Sequence, residues 1–320
     1  MKTKILICGG SGFIGQNLVN FFKRKKKYTI WATYNKKKPK LKNVNWIKIN
    51  LCNPKAVDRV IKGKDIVIQA AASTSGAKQI INRPYIHVTD NAIMNSYIMK
   101  SCSDNKIKHV IFFSCTVMYP NTKNKLSENF KINYNNIDRK YFGVAQTKLY
   151  IEKICKFFSM IGKTKFTCIR HSNVYGPFDK FDLDKSHFFG ATITKVLTSK
   201  NNSILNVWGK GNEYRNMLYI DDLLSFVYLV LKKQKSSFEI YNCGSDNAFK
   251  VKDIILKIIK ISKKKLKIYY DISKPTININ ILIDSKKAKK QIRWKPKISL
   301  EKGISKTISW YRKNFLNELL

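Results

Sequence analysis

The stretch KILICGGSGFIG, residues 4–15, constrains the fold more than any other part of the chain. An apolar run rich in β-forming residues stops at glycines. FIGQNLVNFFKR (13–24) then takes up helical periodicity. Gly9, Gly12 and Gly15 stand at GxxGxxG spacing, and Gly10, Gly12 and Gly15 also satisfy GxGxxG. Strand, glycine turn and helix in that order open a dinucleotide-binding βαβ unit. The glycines let the turn close and let a diphosphate approach the backbone, while amides at the helix N-terminus face it. Gly9, Gly12, Phe13 and Ile14 are therefore candidate cofactor contacts.

The pattern continues. YTIWATY (28–34), VNWIKIN (44–50), DIVIQAAA (65–72), HVIFFSC (109–115) and KFTCIRHSNVYG (165–176) read as strands, the last running into a loop. NPKAVDRVIKG (53–63), NAIMNSYIMKSCSDN (91–105) and YFGVAQTKLYIEKICKFFSMIG (141–162) read as helices between them. Such alternation implies an α/β fold with a mostly parallel, doubly wound sheet. Beyond residue 176 the pattern loosens. Helices are expected over 186–199, 221–233, 250–262 and 298–314, and strands over 238–244 and 265–271.

An NAD site ordinarily carries an Asp or Glu about 20 residues past the glycines, for the adenosine ribose. No acidic residue precedes Asp58, and the second strand ends in Thr33, Tyr34, Asn35, Lys36 and Lys37. Asn35 and Lys36 are thus candidate contacts to a 2′-phosphate. The cofactor indicated is NADP, with NAD left open.

Of the 320 residues, 62 are Lys or Arg and 20 Asp or Glu, for a net charge of +42. Such a field attracts polyanions. The lysines, however, are spread along the chain, and runs such as KRKKK (23–27) read as solvated surface. No nucleic-acid-binding signature accompanies them, so a nucleic-acid partner is not expected. Seven cysteines stand without a CxxC pair, and four histidines are scattered, which argues against a disulfide framework or a metal site. The apolar runs are too short to span a bilayer. With no signal peptide read at the N-terminus, a cytoplasmic protein is expected.

GGSGFIG (9–15), DIVIQAAA (65–72), FFSCTVMYP (112–120), TKLYIEK (147–153), RHSNVYGP (170–177), WGKGNEYRNMLYIDD (208–222) and YNCG (241–244) together resemble the extended short-chain dehydrogenase/reductase family, also called the NAD-dependent epimerase/dehydratase family. Within it the likeness is greatest to the GDP-fucose synthase-like nucleotide-sugar enzymes. The resemblance implies a Rossmann-type NAD(P)-binding domain over 1–172 and about 215–245. It implies a smaller interleaved C-terminal substrate lobe over 173–214 and 246–320. It also implies a homodimer packed through long helices, and hydride exchange at a keto-deoxy sugar on a nucleotide diphosphate, the nucleotide being GDP.

Residue by residue, the resemblance implies that Ala70 and Ala71 line the cofactor and that Lys148 grips the nicotinamide ribose. The family's catalytic tyrosine belongs four residues before that lysine, where this chain has Val144. The Ser/Thr position falls on Cys115, beside Thr116, a candidate substrate contact. Tyr141 lies seven residues before Lys148, about 10 Å away on a continuous helix. It reaches the site only if the helix begins near Gly143 and the chain bends there. His187 matches an acid of the related epimerases, whereas that acid's cysteine partner falls on Val117. Asn173, Trp208 and Arg215 match positions that hold the nucleotide: an indole stacks on a base and a guanidinium pairs with phosphate. The catalytic candidates are Cys115, Tyr141, Lys148 and His187. The reading is a reductase or epimerase with relocated acid/base groups or, alternatively, a binder that has lost turnover.

Overall fold

The computed structural model describes residues 1–74, 83–122, 124–183, 186–274 and 280–316. Strand β1 (Thr3–Cys8) leads through the glycine turn to α1 (Phe13–Lys23), followed by β2 (Tyr28–Tyr34) and β3 (Asn45–Lys48). Helix α2 (Pro54–Ile61), β4 (Ile66–Gln69), α3 (Thr89–Asp104), β5 (His109–Phe113) and a short β6 (Lys125–Leu126) come next. Helix α4 (Phe142–Ile161) precedes β7 (Lys165–His171) and β8 (Asn173–Tyr175). The remainder is α5 (Phe188–Thr198), β9 (Ile204–Trp208), β10 (Tyr214–Tyr219), α6 (Ile220–Lys233), β11 (Phe238–Cys243) and β12 (Ala248–Lys250). Then come α7 (Val251–Ser262), β13 (Lys267–Asp271), β14 (Leu282–Ile283), α8 (Lys286–Ile292) and α9 (Leu300–Tyr311).

Seven strands form one sheet in the order β11-β7-β5-β4-β1-β2-β3, with every pairing parallel. The strand order reverses at β1, which leaves a crevice at the carboxyl ends of β1 and β4. Helices cover both faces, so the strands are nearly continuous apolar runs. Alternation sorts them. Ile5, Ile7, Ile68, Ile111, Phe113 and Ile169 point into one core. Leu6, Cys8, Val67, Val110, Phe112 and Cys168 point into the other. Local chemistry starts the helices where it should. Asn53 accepts the Ala56 amide at 3.0 Å and Pro54 opens α2.

The smaller lobe holds three minor sheets: β12-β10-β8, β13-β9 and β14-β6. Sequence expectations are refined here. The strand expected within 165–176 ends at His171, and the loop expected after it holds a second short strand. The backbone leaves the large sheet at Ser172, whose amide still donates to Cys243 O at 3.0 Å, and pairs as β8 with β10. Strand β10 pairs within the smaller sheet, and α6 leads from it back to β11 in the large one. The long helix begins at Phe142 rather than Tyr141.

His109 opens β5 with its ring buried. Its Nε2 lies 2.8 Å from Thr167 Oγ1, and that hydroxyl donates to Gln234 Oε1 at 2.5 Å. The imidazole must therefore donate from Nε2. A second proton, on Nδ1, would charge a buried ring. Burial, and then the Lys165 charge, push its pKa down to about 4. An unfolded histidine titrates near 6.5. Between those values the unfolded chain binds the extra proton, so this contribution to stability is full above pH 6.5 and is lost as pH falls toward 4. Asp179 runs the other way, its carboxyl pushed up to about 7 by burial. A difference measurement isolates His109. Comparing His109→Gln with the parent by urea unfolding, the parent's stability relative to the variant should drop by about 2 kcal/mol between pH 7 and pH 5. A pH-independent difference would refute a neutral buried His109.

Candidate functional site

The crevice gathers the carboxyl ends of β1, β2, β4, β5 and β7. At its floor Gly9 has φ +74°, and a Cβ there would lie 2.5 Å from Ala71 Cα. A Cβ on Gly15 would lie 2.0 Å from Gly9 O. The turn therefore closes only on hydrogen side chains, one against β4 and one against α1. Buried Thr33, at the end of β2, accepts the Gly9 amide at 2.8 Å. Gly12 N-caps α1, where no side chain caps the helix, and its own Cβ position meets only Gly9 O, at 3.4 Å. The first-turn amides, including those of half-buried Phe13 and Ile14, thus open toward space that a phosphate suits.

Beside the turn lies a cleft of about 620 Å³ lined by Ser11, Asn35, Lys36, Lys37, Ala72, Ser73, Thr74, Asp90 and Lys180. Ala70 and Ala71 precede the lining residue Ala72 and do not themselves line the cleft: Ala70 N–H donates to Cys8 O at 3.1 Å and Ala71 N–H to Gln69 Oε1 at 3.2 Å. Asn35 and Lys36 are exposed at its mouth. The residues present fit a dinucleotide: a Cβ-free cradle at the turn, and cations where the adenosine ribose would lie. Ser11, Thr74 and Lys180 were not read from the sequence. Lys180 lies far along the chain in an irregular segment, and no local pattern could have announced it.

Lys148 projects from α4 to the carboxyl end of β5. Its Nζ donates to Phe113 O at 2.7 Å, at the end of β5, and stands 4.7 Å from the Phe112 ring centroid. Burial pushes its pKa down, and Cys115, Glu152 and Cys168 counter that. Cys115 is half-buried just past β5. Burial pushes its thiol up, and Lys148 opposes the shift. Neighbouring Ser114 donates to Glu152 Oε1 at 2.6 Å. Thr116 is half-buried, and its carbonyl accepts Tyr119 N–H at 3.0 Å.

Tyr141 ends a turn of 3₁₀ helix, Arg139–Tyr141, that Asp138 caps by accepting Lys140 N–H at 2.8 Å. It is the residue where that turn passes into α4. Its backbone is itself helical (φ −106°, ψ −2°) and α4 runs unbroken through Gly143, so the separation of about two turns from Lys148 stands. Burial pushes its pKa up. Arg215 pulls it down, while Asp138 and Cys115 push it further up. The phenol thus feels Cys115 on one side and Arg215, from the smaller lobe, on the other. Val144, half-buried, occupies the place one turn before Lys148. The expected bend at Gly143 is replaced by a close contact. Gly143 lies within α4, and a Cβ there would meet Val88 Cγ2 at 2.8 Å.

The remaining candidates lie on or beside β8, β9, β10 and α5. Asn173 donates to Asn216 O at 3.1 Å and pairs in register with Met217, two residues beyond Arg215 on β10. Arg215 is half-buried and donates to Tyr214 O at 2.9 Å; burial lowers its pKa, and Glu213 and Tyr141 counter that. Trp208, 41% exposed, ends β9, with its ring free to stack. His187 is the N-cap residue of α5, yet its side chain makes no cap hydrogen bond. Crowding by protein, then Lys180 and His87, hold its pKa below the ordinary value, although part of the residue stays open to solvent. His171, which sequence reasoning passed over, lies near both Lys148 and His187. Burial and then their charges, against a bond to Ser172 O, push its pKa down to about 4.

Against known proteins, residues 5–244 match the NAD dependent epimerase/dehydratase family. Over 98% of both chains the sequence is 27% identical to GDP-L-colitose synthase of Yersinia pseudotuberculosis. It is 26% identical to GDP-L-fucose synthase of Sinorhizobium fredii, over 83% of this chain and 86% of that one. The fold matches UDP-glucose 4-epimerase of Thermotoga maritima, solved with UDP-glucose, at a TM-score of 0.85, covering 97% of this chain and 99% of that one at 22% identity.

Gly12 offers a clean test of the cradle. Its backbone, at φ −80° and ψ 175°, suits any residue. Gly12→Ala should therefore fold with a stability within about 1 kcal/mol of the parent. Its methyl group would stand where a phosphate approaches, and NADPH affinity by fluorescence titration should fall by roughly tenfold or more. Unchanged affinity would mean the dinucleotide does not approach the turn.

Proposed function

The chain belongs to the NAD-dependent epimerase/dehydratase family, and on that premise we propose that it is an NADP-dependent enzyme that reduces or epimerises a keto-deoxy sugar carried on a nucleotide diphosphate, the nucleotide being GDP. The observation that carries this reading is the presence, at the carboxyl ends of the sheet, of the glycine cradle after β1 and half-buried Lys148, whose Nζ lies at the end of β5. The near full-length similarity to a GDP-L-colitose synthase supports the choice of GDP. Residues 1–172 with about 215–245 would serve the cofactor, and 173–214 with 246–320 the substrate. Seven free thiols suit the reducing cytoplasm, and among the described residues no helix is long and apolar enough to cross a membrane.

When bound, the cofactor supplies hydride exchange at a sugar carbon. Gly9 and Gly12 would leave room for its diphosphate and the Phe13 and Ile14 amides would hold it, with Ala70 and Ala71 as a wall, and Asn35 and Lys36 would meet its 2′-phosphate. Lys148 donates to the nicotinamide ribose hydroxyls. Trp208 stacks on the substrate's base, and Arg215 and Asn173 hold its diphosphate. Tyr141 donates the proton to the sugar oxygen, with Cys115 and Thr116 alongside. His187, its pKa held below the ordinary value, accepts or passes on a proton next to the carbonyl. Val117 stands where the related epimerases carry a cysteine and has no proton to exchange, which favours reduction.

A second reading, cofactor and nucleotide binding without turnover, is favoured by Val144 in the tyrosine place and by a Tyr141 phenol that burial holds above its ordinary pKa. One assay separates the two. The protein is mixed with NADPH and a panel of GDP- and dTDP-linked 4-keto-6-deoxy sugars, and absorbance at the reduced-nicotinamide band is followed. Consumption with a GDP sugar is expected. Tight NADPH binding with no turnover on any substrate would leave the second reading standing. In the active case, Tyr141→Phe should lower kcat by roughly 10²–10⁴ at nearly unchanged NADPH affinity; unchanged kcat removes Tyr141 as the acid.

We also propose a homodimer. Tyr150, Phe157, Met160 and Ile161 on α4 and Ile93 on α3 are exposed, between 39% and 73%. That apolar face is suited to a second copy. Sedimentation should give twice the chain mass, and Phe157→Glu with Met160→Glu should give the monomer. A parent that sediments as a monomer at micromolar concentration would count against it.

A further inference from the structure

Lys180 reaches across the cofactor cleft from the smaller lobe. Its Nζ lies 3.3 Å from Thr74 O and 3.4 Å from Thr74 Oγ1, just beyond β4. The cleft beneath is lined by Ser11 of the glycine turn on one side and by Asn35, Lys36 and Lys37 on the other. A lysine in so basic a chain is usually solvated surface, but the backbone under this one is fixed at several points. Asn17 Nδ2, on α1, donates to Pro177 O at 2.8 Å. Ser186 Oγ donates to Lys180 O at 2.5 Å, and Thr194 Oγ1, on α5, to Phe181 O at 2.7 Å. Helix α5 comes so close that a Cβ on Gly190 would lie 2.3 Å from Lys180 O. Phe181 is buried between Trp310 and Tyr311 of α9, with ring centroids 5.7 and 5.0 Å away, and Phe178 packs on Trp310 at 4.9 Å.

The backbone is thus rigid, while the ammonium group at the end of a flexible stem makes two long contacts with neutral oxygens. An ammonium has three donors, and charged hydrogen bonds to phosphate are shorter and stronger than these. Resting on the dinucleotide reading above, we infer that Lys180 is a latch on the cofactor's diphosphate, exchanging Thr74 for a phosphate oxygen and fastening the smaller lobe over the cleft. Its position beside Ser11 and Thr74 assigns it to the diphosphate, whereas Lys36 and Lys37 lie at the adenosine ribose. It therefore serves NADP(H) and NAD(H) alike. The latched segment runs on to His187 at the start of α5, so cofactor binding also steadies the wall that carries that side chain.

The test is calorimetric titration of the full chain with NADPH, NADH, ADP-ribose and AMP. Lys180→Gln is expected to weaken the first three about tenfold each, to flatten their salt dependence, and to leave AMP affinity and thermal stability unchanged. Lys180→Arg should restore most of the loss. A loss under twofold, an equal loss for AMP, or a loss confined to NADPH would each overturn the latch; the last would move Lys180 to the 2′-phosphate. If the parent bound none of the four ligands, the dinucleotide reading itself would fall, and the latch with it.

Discussion

One buried ion pair sets the geometry of the crevice. Glu152, on α4, meets Arg170, on β7, through two bonds, Nε to Oε1 at 3.0 Å and Nη2 to Oε2 at 2.6 Å. Both side chains are about 95% buried. Such charges survive burial only when every group is satisfied, and here the accounting closes. Ser114 donates to the same carboxylate, and Arg170 Nη1 donates to Tyr119 Oη at 2.9 Å. Tyr119 donates in turn to Asn242 Oδ1 at 2.9 Å, and Asn242 donates onward to Leu126 O and Asp284 O. Removing one partner of such a pair ordinarily costs about 3–5 kcal/mol, because the other charge is left stranded. The network ties the exits of β5, β7 and β11 to one turn of α4. Lys148 lies one helical turn before Glu152, so the pair fixes the rotation at which the lysine enters the crevice.

Around that lysine, burial favours neutral forms. It pushes the Cys115 thiol and the Tyr141 phenol up and Lys148, His187 and Arg215 down. Cys115 acts on both Tyr141 and Lys148, so it lies electrically between them. A pocket of this kind gains most from a ligand that brings its own negative charge. The wider field helps: a chain with net charge +42 draws anionic nucleotides toward its surface at low ionic strength.

What could be read in advance follows from range. The glycine turn and the parallel, doubly wound order rest on spacing within a few residues, and both appear in the structure. The missed elements had weak local signals. Strand β9 alternates over only five residues, and α8 is a lysine-rich heptapeptide that buries only Ala288 and Ile292. The end of β7 in a loop was legible, but the pairing of residues 173–175 with β10 was not, because that partner lies more than 40 residues away. A bend at Gly143 was the condition for Tyr141 to reach Lys148, since glycine permits bending. The structure spends Gly143 on close approach to Val88, a contact between segments more than 50 residues apart. Lys180 belongs to the same class: its meaning comes from Thr74, Ser11 and Trp310, none of them near it in the chain.

The placement of Tyr141 bears on the direction of the proposed chemistry. A phenol beside the cofactor lysine is tuned downward and serves readily as a base, which suits removal of a proton from a sugar hydroxyl. Val144 abolishes that arrangement, and Tyr141 is tuned instead by burial, Arg215, Asp138 and Cys115, with the net effect upward. A phenol of raised pKa remains protonated at neutral pH. It is still far more acidic than the sugar alcohol that forms, so donation to the alkoxide of a reduced ketone stays downhill while abstraction becomes harder. If the substrate's diphosphate engages Arg215, part of the cationic pull on the phenol is neutralised and the bias grows. Under the proposed assignment, moving the acid from the cofactor side to the substrate side favours ketone reduction over sugar oxidation, and substrate binding reinforces that preference.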